Sequence, residues 1–86
     1  MKQITKHIIR KDLKRLFTYR ICLIGFKRKG FDRIFSHNLG EEAGVTAEQV
    51  RKDFSVYKIK GNKKGGYNIN DLLNAIDEIF KYQNNQ

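Results

Sequence analysis

Between Glu41 and Phe54 the chain reads EEAGVTAEQVRKDF, and its glycine restricts the possible folds more than any other residue. Two short helical patterns meet there within three residues, so the chain must turn sharply. Gly44 can supply the left-handed backbone of such a corner at little cost. Upstream lies a brief helix, HNLGEEA, expected to bury Leu39 and Ala43 and to be capped by Ser36. Downstream, Thr46 starts the next helix and Gln49 stands three residues later, the spacing of a capping box. Ala47, Val50 and Phe54 are the inward positions of that second helix, residues 47–55. Either the corner closes a small helical bundle, or it holds the second helix out towards a partner.

The flanking segments favour the second arrangement. A long N-terminal helix is expected to start at Thr5, with Ile9, Leu13, Leu16, Phe17, Leu23 and Ile24 on one side at helical spacing. Lys27, Arg28 and Lys29 suit its negative end, and Gly30 suits the position just past it. Arg20 interrupts the apolar stripe. Its stem packs while its head reaches water, or it meets an acidic group or a phosphate; the packed stem is the preferred reading. FDRIF reads as a short strand. VYKIK alternates with period two, GNKKGG is a glycine-bounded turn, and YNI returns, so these three pieces read as a β-hairpin. Asn70 is expected to cap a last helix with Leu72, Leu73, Ile76, Ile79 and Phe80 on its apolar face, followed by a frayed tail at about 83–86. No proline interrupts any helix. The order helix-strand-helix-helix-strand-strand-helix is that of a winged helix-turn-helix: an α+β, mainly α, single domain over residues 1–86 with a small antiparallel sheet.

Charge narrows the partner. Eighteen Lys and Arg against nine Asp and Glu leave +9, with a pI near 9.9. That passes the rough threshold of about 9 for nucleic-acid-binding domains, although an anionic membrane surface would attract the same charge. Cys22 is alone, which excludes an internal disulfide and a cysteine-rich zinc site and suits a reducing cytosol. His7 and His37 lack partners at metal spacing, so no metal is expected. The basic start of the chain lacks the apolar region of a signal peptide, and no apolar run approaches the roughly 18 residues of a membrane span. The expectation is a soluble intracellular protein of a reducing cytosol. No Ser/His/Asp or Cys/His arrangement and no paired carboxylates suggest an enzyme, and no cofactor or small-molecule substrate is expected.

On the helix of residues 47–55, a rotation of about 100° per residue sets Glu48, Gln49, Lys52 and Ser55 opposite the anchors, with Arg51 beside them. Arg and Lys suit guanine, Gln suits adenine, and Ser or Thr suits phosphate or base. Gln49, Arg51, Lys52 and Ser55 are therefore the candidate major-groove contacts. Glu48 repels phosphate; it reads cytosine or pairs with Lys52 at i,i+4. At the wing, residues 60–66, the candidates are Lys60, Asn62, Lys63 and Lys64, cations drawn to a narrow minor groove. Ser36 is a weaker phosphate candidate. The plain alternatives are a solvated helix face, a solubilising turn and a simple N-cap.

Residues Phe35 to Leu73, carried by FSHNLGEEAGVTAEQVRKDFS and KGNKKGGYNINDLL, resemble the N-terminal domain of the Rex family of redox-sensing transcriptional repressors. The resemblance implies a winged helix that binds operator DNA as a dimer, its third helix in the major groove and its wing in the minor groove. It implies contacts from Thr46, Gln49, Arg51 and Lys52, and from Lys63 and Lys64 of the wing. Phe54 stands where the family usually has leucine, and Lys58 replaces a glycine common before the wing. Family members continue into a Rossmann domain that binds NAD(H) through a G-x-G-x-x-G loop. These 86 residues contain no such loop, so they are either an excised domain or a short free-standing relative, and NAD(H) is expected only if a Rossmann domain exists in a longer parent protein.

The leading expectation is sequence-specific binding of double-stranded DNA for transcriptional repression, on a palindromic operator and with a homodimer in view. Tyr19, Phe26 and Tyr82 are candidates for a dimer face. The alternative is a protein-interaction module docking an acidic partner. Structured RNA fits less well, because an outward helix cannot enter its narrow major groove.

Overall fold

A computed structural model describes residues 11–62 and 64–84. Its elements are helix α1 (Lys11–Arg28), strand β1 (Arg33–Ile34), helix α2 (Ser36–Ala43), helix α3 (Ala47–Val56), strand β2 (Tyr67–Asn68) and helix α4 (Ile69–Asn84). The expected cap at Thr5 and the expected core position Ile9 lie outside the described residues. The two strands pair antiparallel, Arg33 with Asn68 and Ile34 with Tyr67. This is a mainly α winged helix, with α2 and α3 as the helix-turn-helix.

Helix α1 ends as its sequence requires. Phe31 N–H donates to Phe26 O at 3.0 Å and Gly30 N–H to Lys27 O at 2.9 Å, with Gly30 at φ +95°. This is the Schellman arrangement, and the usual apolar contact accompanies it: the rings of Phe26 and Phe31 meet edge to face at 5.4 Å.

The core joins Leu16, Tyr19 and Leu23 of α1 to Ile34, Leu39, Val50, Phe54, Ile69, Leu72 and Ile76. Phe54 is at its centre, its ring edge-on to Tyr19 at 5.4 Å and to Tyr67 at 5.2 Å. Two expectations about α1 are corrected here. Tyr19 is fully buried and no dimer-face residue, whereas Phe17, expected in the core, is 55% exposed. Phe17 instead lies over the α1–α4 seam against Phe80. In the same seam Arg20 Nε donates to Asp77 Oδ1 at 2.6 Å, so Arg20 meets an acidic partner and is not merely a packed stem. Phe26 is partly buried against the core, and Tyr82 is exposed.

The first wing strand is also corrected. VYKIK does not pair; it terminates α3. Ile59 N–H donates to Phe54 O at 2.9 Å and Lys58 N–H to Ser55 O at 3.0 Å. Lys58 takes the left-handed position at φ +59°, and Ile59 packs back on the core. The alternation was thus a second Schellman ending with a lysine where glycine is usual. Helix α4 starts earlier than expected, and Asn68, not Asn70, caps it: Asn68 Oδ1 accepts from Asp71 N–H at 2.9 Å. The helix runs on to Asn84, through the first half of the expected frayed tail; residues 85 and 86 lie outside the described residues.

Candidate nucleic-acid interface

The corner between α2 and α3 forms as Gly44 allows. Gly44 adopts φ +81° and ψ 27°, and Gly44 N–H and Val45 N–H both donate to Gly40 O, at 2.8 and 2.9 Å. Gly40 is equally necessary, although no pattern in the sequence singles it out. A Cβ there would lie 2.7 Å from Val45 O, so only glycine lets the chain cross so close to α2. Thr46 then caps α3, its hydroxyl accepting from Gln49 N–H at 3.0 Å.

Val50 and Phe54 pin α3 to the core with no exposed surface. On the opposite side Glu48, Arg51, Lys52 and Ser55 are exposed, one and two turns apart. Arg51 Nη1 donates to Ser36 Oγ at 3.0 Å, which brings the start of α2 to the edge of this face. Ser36 is the first residue of α2 and not its cap; Asn38 closes that end by accepting from Phe35 N–H at 3.2 Å. The two ion pairs between described side chains join Arg15 to Asp53 and Arg20 to Asp77. Neither involves Arg51, Lys52 or Glu48.

Gln49 sits apart from the outward set. Its Nε2 donates to Asp53 Oδ1 at 2.9 Å. Asp53 is 2% exposed and also receives Arg15 through Nε at 2.7 Å and Nη2 at 2.9 Å, and Tyr19 OH at 2.7 Å. Burial alone would raise the Asp53 carboxyl, but these donors outweigh it and hold it below its ordinary value. Burial and the bond to Asp53 push the Tyr19 phenol well above its own, and the bond to Asp53 raises the Arg15 guanidinium. This cluster fixes the rotation of α3 against α1. The sequence signal for it was Asp53 itself, an acid one residue from the inward Phe54.

The wing is built from its own backbone. Asn62 and Gly66 exchange N–H···O bonds at 2.8 and 2.6 Å, and Asn62 Oδ1 accepts from Lys64 N–H at 2.8 Å and Gly65 N–H at 3.2 Å. The Asn62 side chain is therefore spent on shaping the turn, while Lys60 and Lys64 are exposed. Lys63 lies outside the described residues. Arg33 Nε donates to Gly65 O at 2.6 Å and ties the tip to β1. Ser36, His37, Arg51, Asn62 and Tyr67 line a depression between α2, α3 and the wing, so helix and wing face one continuous surface.

Among the described residues, no group of three or more His, Cys, Asp and Glu side chains can hold a metal ion, and no helix is long and apolar enough to cross a membrane.

Residues 13–55 match the family described as "Putative DNA-binding protein N-terminus". The redox-sensing transcriptional repressor Rex of Thermosipho africanus is 34% identical over 82 residues, covering 92% of this chain and 40% of the relative. The repressor of the same name from Clostridium botulinum (strain Eklund 17B) is 36% identical over 75 residues, covering 87% and 36%. That of Staphylococcus haemolyticus is 39% identical over 74 residues, covering 86% and 33%. The chain thus spans at most two fifths of the length of these relatives.

Proposed function

The chain belongs to this family, that of Rex N-terminal domains, and from that premise we propose that it binds double-stranded DNA in sequence-specific fashion to repress transcription. The observation that carries the reading is the outward face of α3, where Arg51 and Lys52 are exposed and in ion pairs with no described acid, on a helix anchored from behind by Val50 and Phe54. Such a helix can enter a major groove about 12 Å wide. Arg51, Lys52 and Ser55 contact bases or phosphates. Thr46 and Ser36 present hydroxyls to the backbone at the two helix starts. Gln49 contributes through the rotation it helps to fix. Lys60, Lys63 and Lys64 bring the wing to the adjacent minor groove, and Asn62 shapes it.

Residues 1–86 act as one domain in this reading. A single module buries only about 600–1,000 Å² on DNA, so two copies on a palindromic operator supply useful specificity. The site of action is the bacterial cytosol, at the nucleoid. Redox sensing through NAD(H) is assigned to none of these 86 residues. No residue here is assigned a catalytic role.

Duplex selection followed by titration tests this. With about five phosphates engaged, log K falls against log salt with a slope near −4 to −5. Arg51→Ala with Lys52→Ala should abolish operator binding while leaving the melting temperature in place. If the double variant binds DNA as the parent does, or if affinity is independent of salt, the proposal is wrong.

A further inference from the structure

Glu48 is a carboxylate on the face that, in the reading above, meets a polyanion. Its ordinary explanation as a surface ion pair does not hold. Lys52 lies at the favourable i,i+4 spacing and Arg51 at i,i+3, yet Glu48 joins neither ion pair between described side chains. Arg51 turns instead to the Ser36 hydroxyl at 3.0 Å. Glu48 is left exposed in the first turn of α3, in line with Arg51, Lys52 and Ser55. A first-turn acid does favour the helix dipole, but any acid-tolerant position of that turn would serve, including ones off this face.

We propose that Glu48 determines specificity by accepting the N4 amino group of a cytosine in the major groove. The inference rests on the DNA-binding reading. Of the groups on the major-groove edge, carboxylates suit the cytosine amine, which presents a donor with no acceptor on the same base. Guanine O6 and N7 and thymine O4 present only acceptors, which a carboxylate repels. The same charge weakens attraction to phosphate on every sequence. Glu48 thus trades general affinity for discrimination, and the lysines of the wing and α3 restore the attraction.

The test is selection from a random duplex pool with the parent chain, Glu48→Gln and Glu48→Ala, followed by titration of the selected duplexes. The parent should enrich cytosine at one position of each half-site, favouring it about 5- to 100-fold over the other bases. Glu48→Ala should lose that preference at that position alone and bind unrelated duplexes more tightly. Glu48→Gln should move the preference towards adenine, which pairs with a carboxamide through N6 and N7. If parent and Glu48→Ala select the same sequences, or the parent shows no cytosine preference, the assignment is overturned while DNA binding stands. If the parent binds no duplex at all, the underlying reading falls and takes this one with it. Equal unfolding midpoints for the three proteins tie the outcome to recognition and not to folding.

Discussion

The helix-turn-helix and the wing approach the same surface, but they are held by different means. Helix α3 is gripped from behind by Val50 and Phe54 and from the side by Arg15, Tyr19 and Gln49 converging on Asp53. The wing rests on two backbone bonds between Asn62 and Gly66, an Asn62 side-chain turn and one arginine reaching from β1. Sequence-reading elements need a fixed rotation, since a small rotation moves every side chain off its base. A part that touches phosphate needs only to be near. Under the proposed function, the buried polar bonds lie where that difference requires them.

The largest effect should come from Asp53→Ala. It leaves Arg15 and Tyr19 without their shared acceptor, and Arg15 is only partly open to water, so a loss of about 3 kcal/mol is expected in denaturant unfolding. The same cluster sets the pH limits. Asp53 is held below its ordinary value when folded, so its contribution is complete above about pH 4 and is lost as pH falls further. Tyr19 is raised, so its contribution is lost as pH climbs past about 10. A midpoint that is flat across both limits would break the contrast between a locked helix and a loose wing.

Next in size, Gly66→Ala should cost about 1–3 kcal/mol, because Gly66 sits at φ +66° and a Cβ there would lie 2.5 Å from Ile34 O. Thermal unfolding that ignores this change would show the wing base to be looser still. Lys58→Gly should stabilise the domain by about 0.5–1 kcal/mol, since it relieves a left-handed lysine at the end of α3. The smallest effect on stability, within about 0.5 kcal/mol, is expected for Lys64→Ala at the tip. Titration should show its salt slope shallower by about 1. A stability loss as large as that of Asp53→Ala would overturn the view of the wing as a light appendage.

What the sequence made legible was local. Gly44, the Thr46 cap with Gln49 three residues on, and the inward pair Val50 and Phe54 all announce themselves within one or two turns of helix, and the winged-helix class followed from them. What stayed hidden depends on distant partners. Tyr19 is buried because its hydroxyl finds Asp53, 34 residues away, while Phe17 of the same helix merely borders α4. Gln49 looks outward by helical angle, yet its amide turns to the same carboxylate. VYKIK misled because Val, Tyr and Ile suit a strand, and nothing short of the bonds to Phe54 and Ser55 marks it as a helix ending. Ser36 has the residue type of a cap, but its partner is Arg51, across the corner.

The pairing of β1 with β2 encloses the whole helix-turn-helix between two dipeptide strands. Such a clasp must wait for the intervening chain to collapse, since closing a long loop for so few bonds is entropically unfavourable. In refolding, the neighbouring α2 and α3 should therefore gain structure ahead of the sheet. In native-state hydrogen exchange, the amides of the clasp should open at lower free energy than those of α3, so that the ribbon swings aside while α3 keeps its orientation.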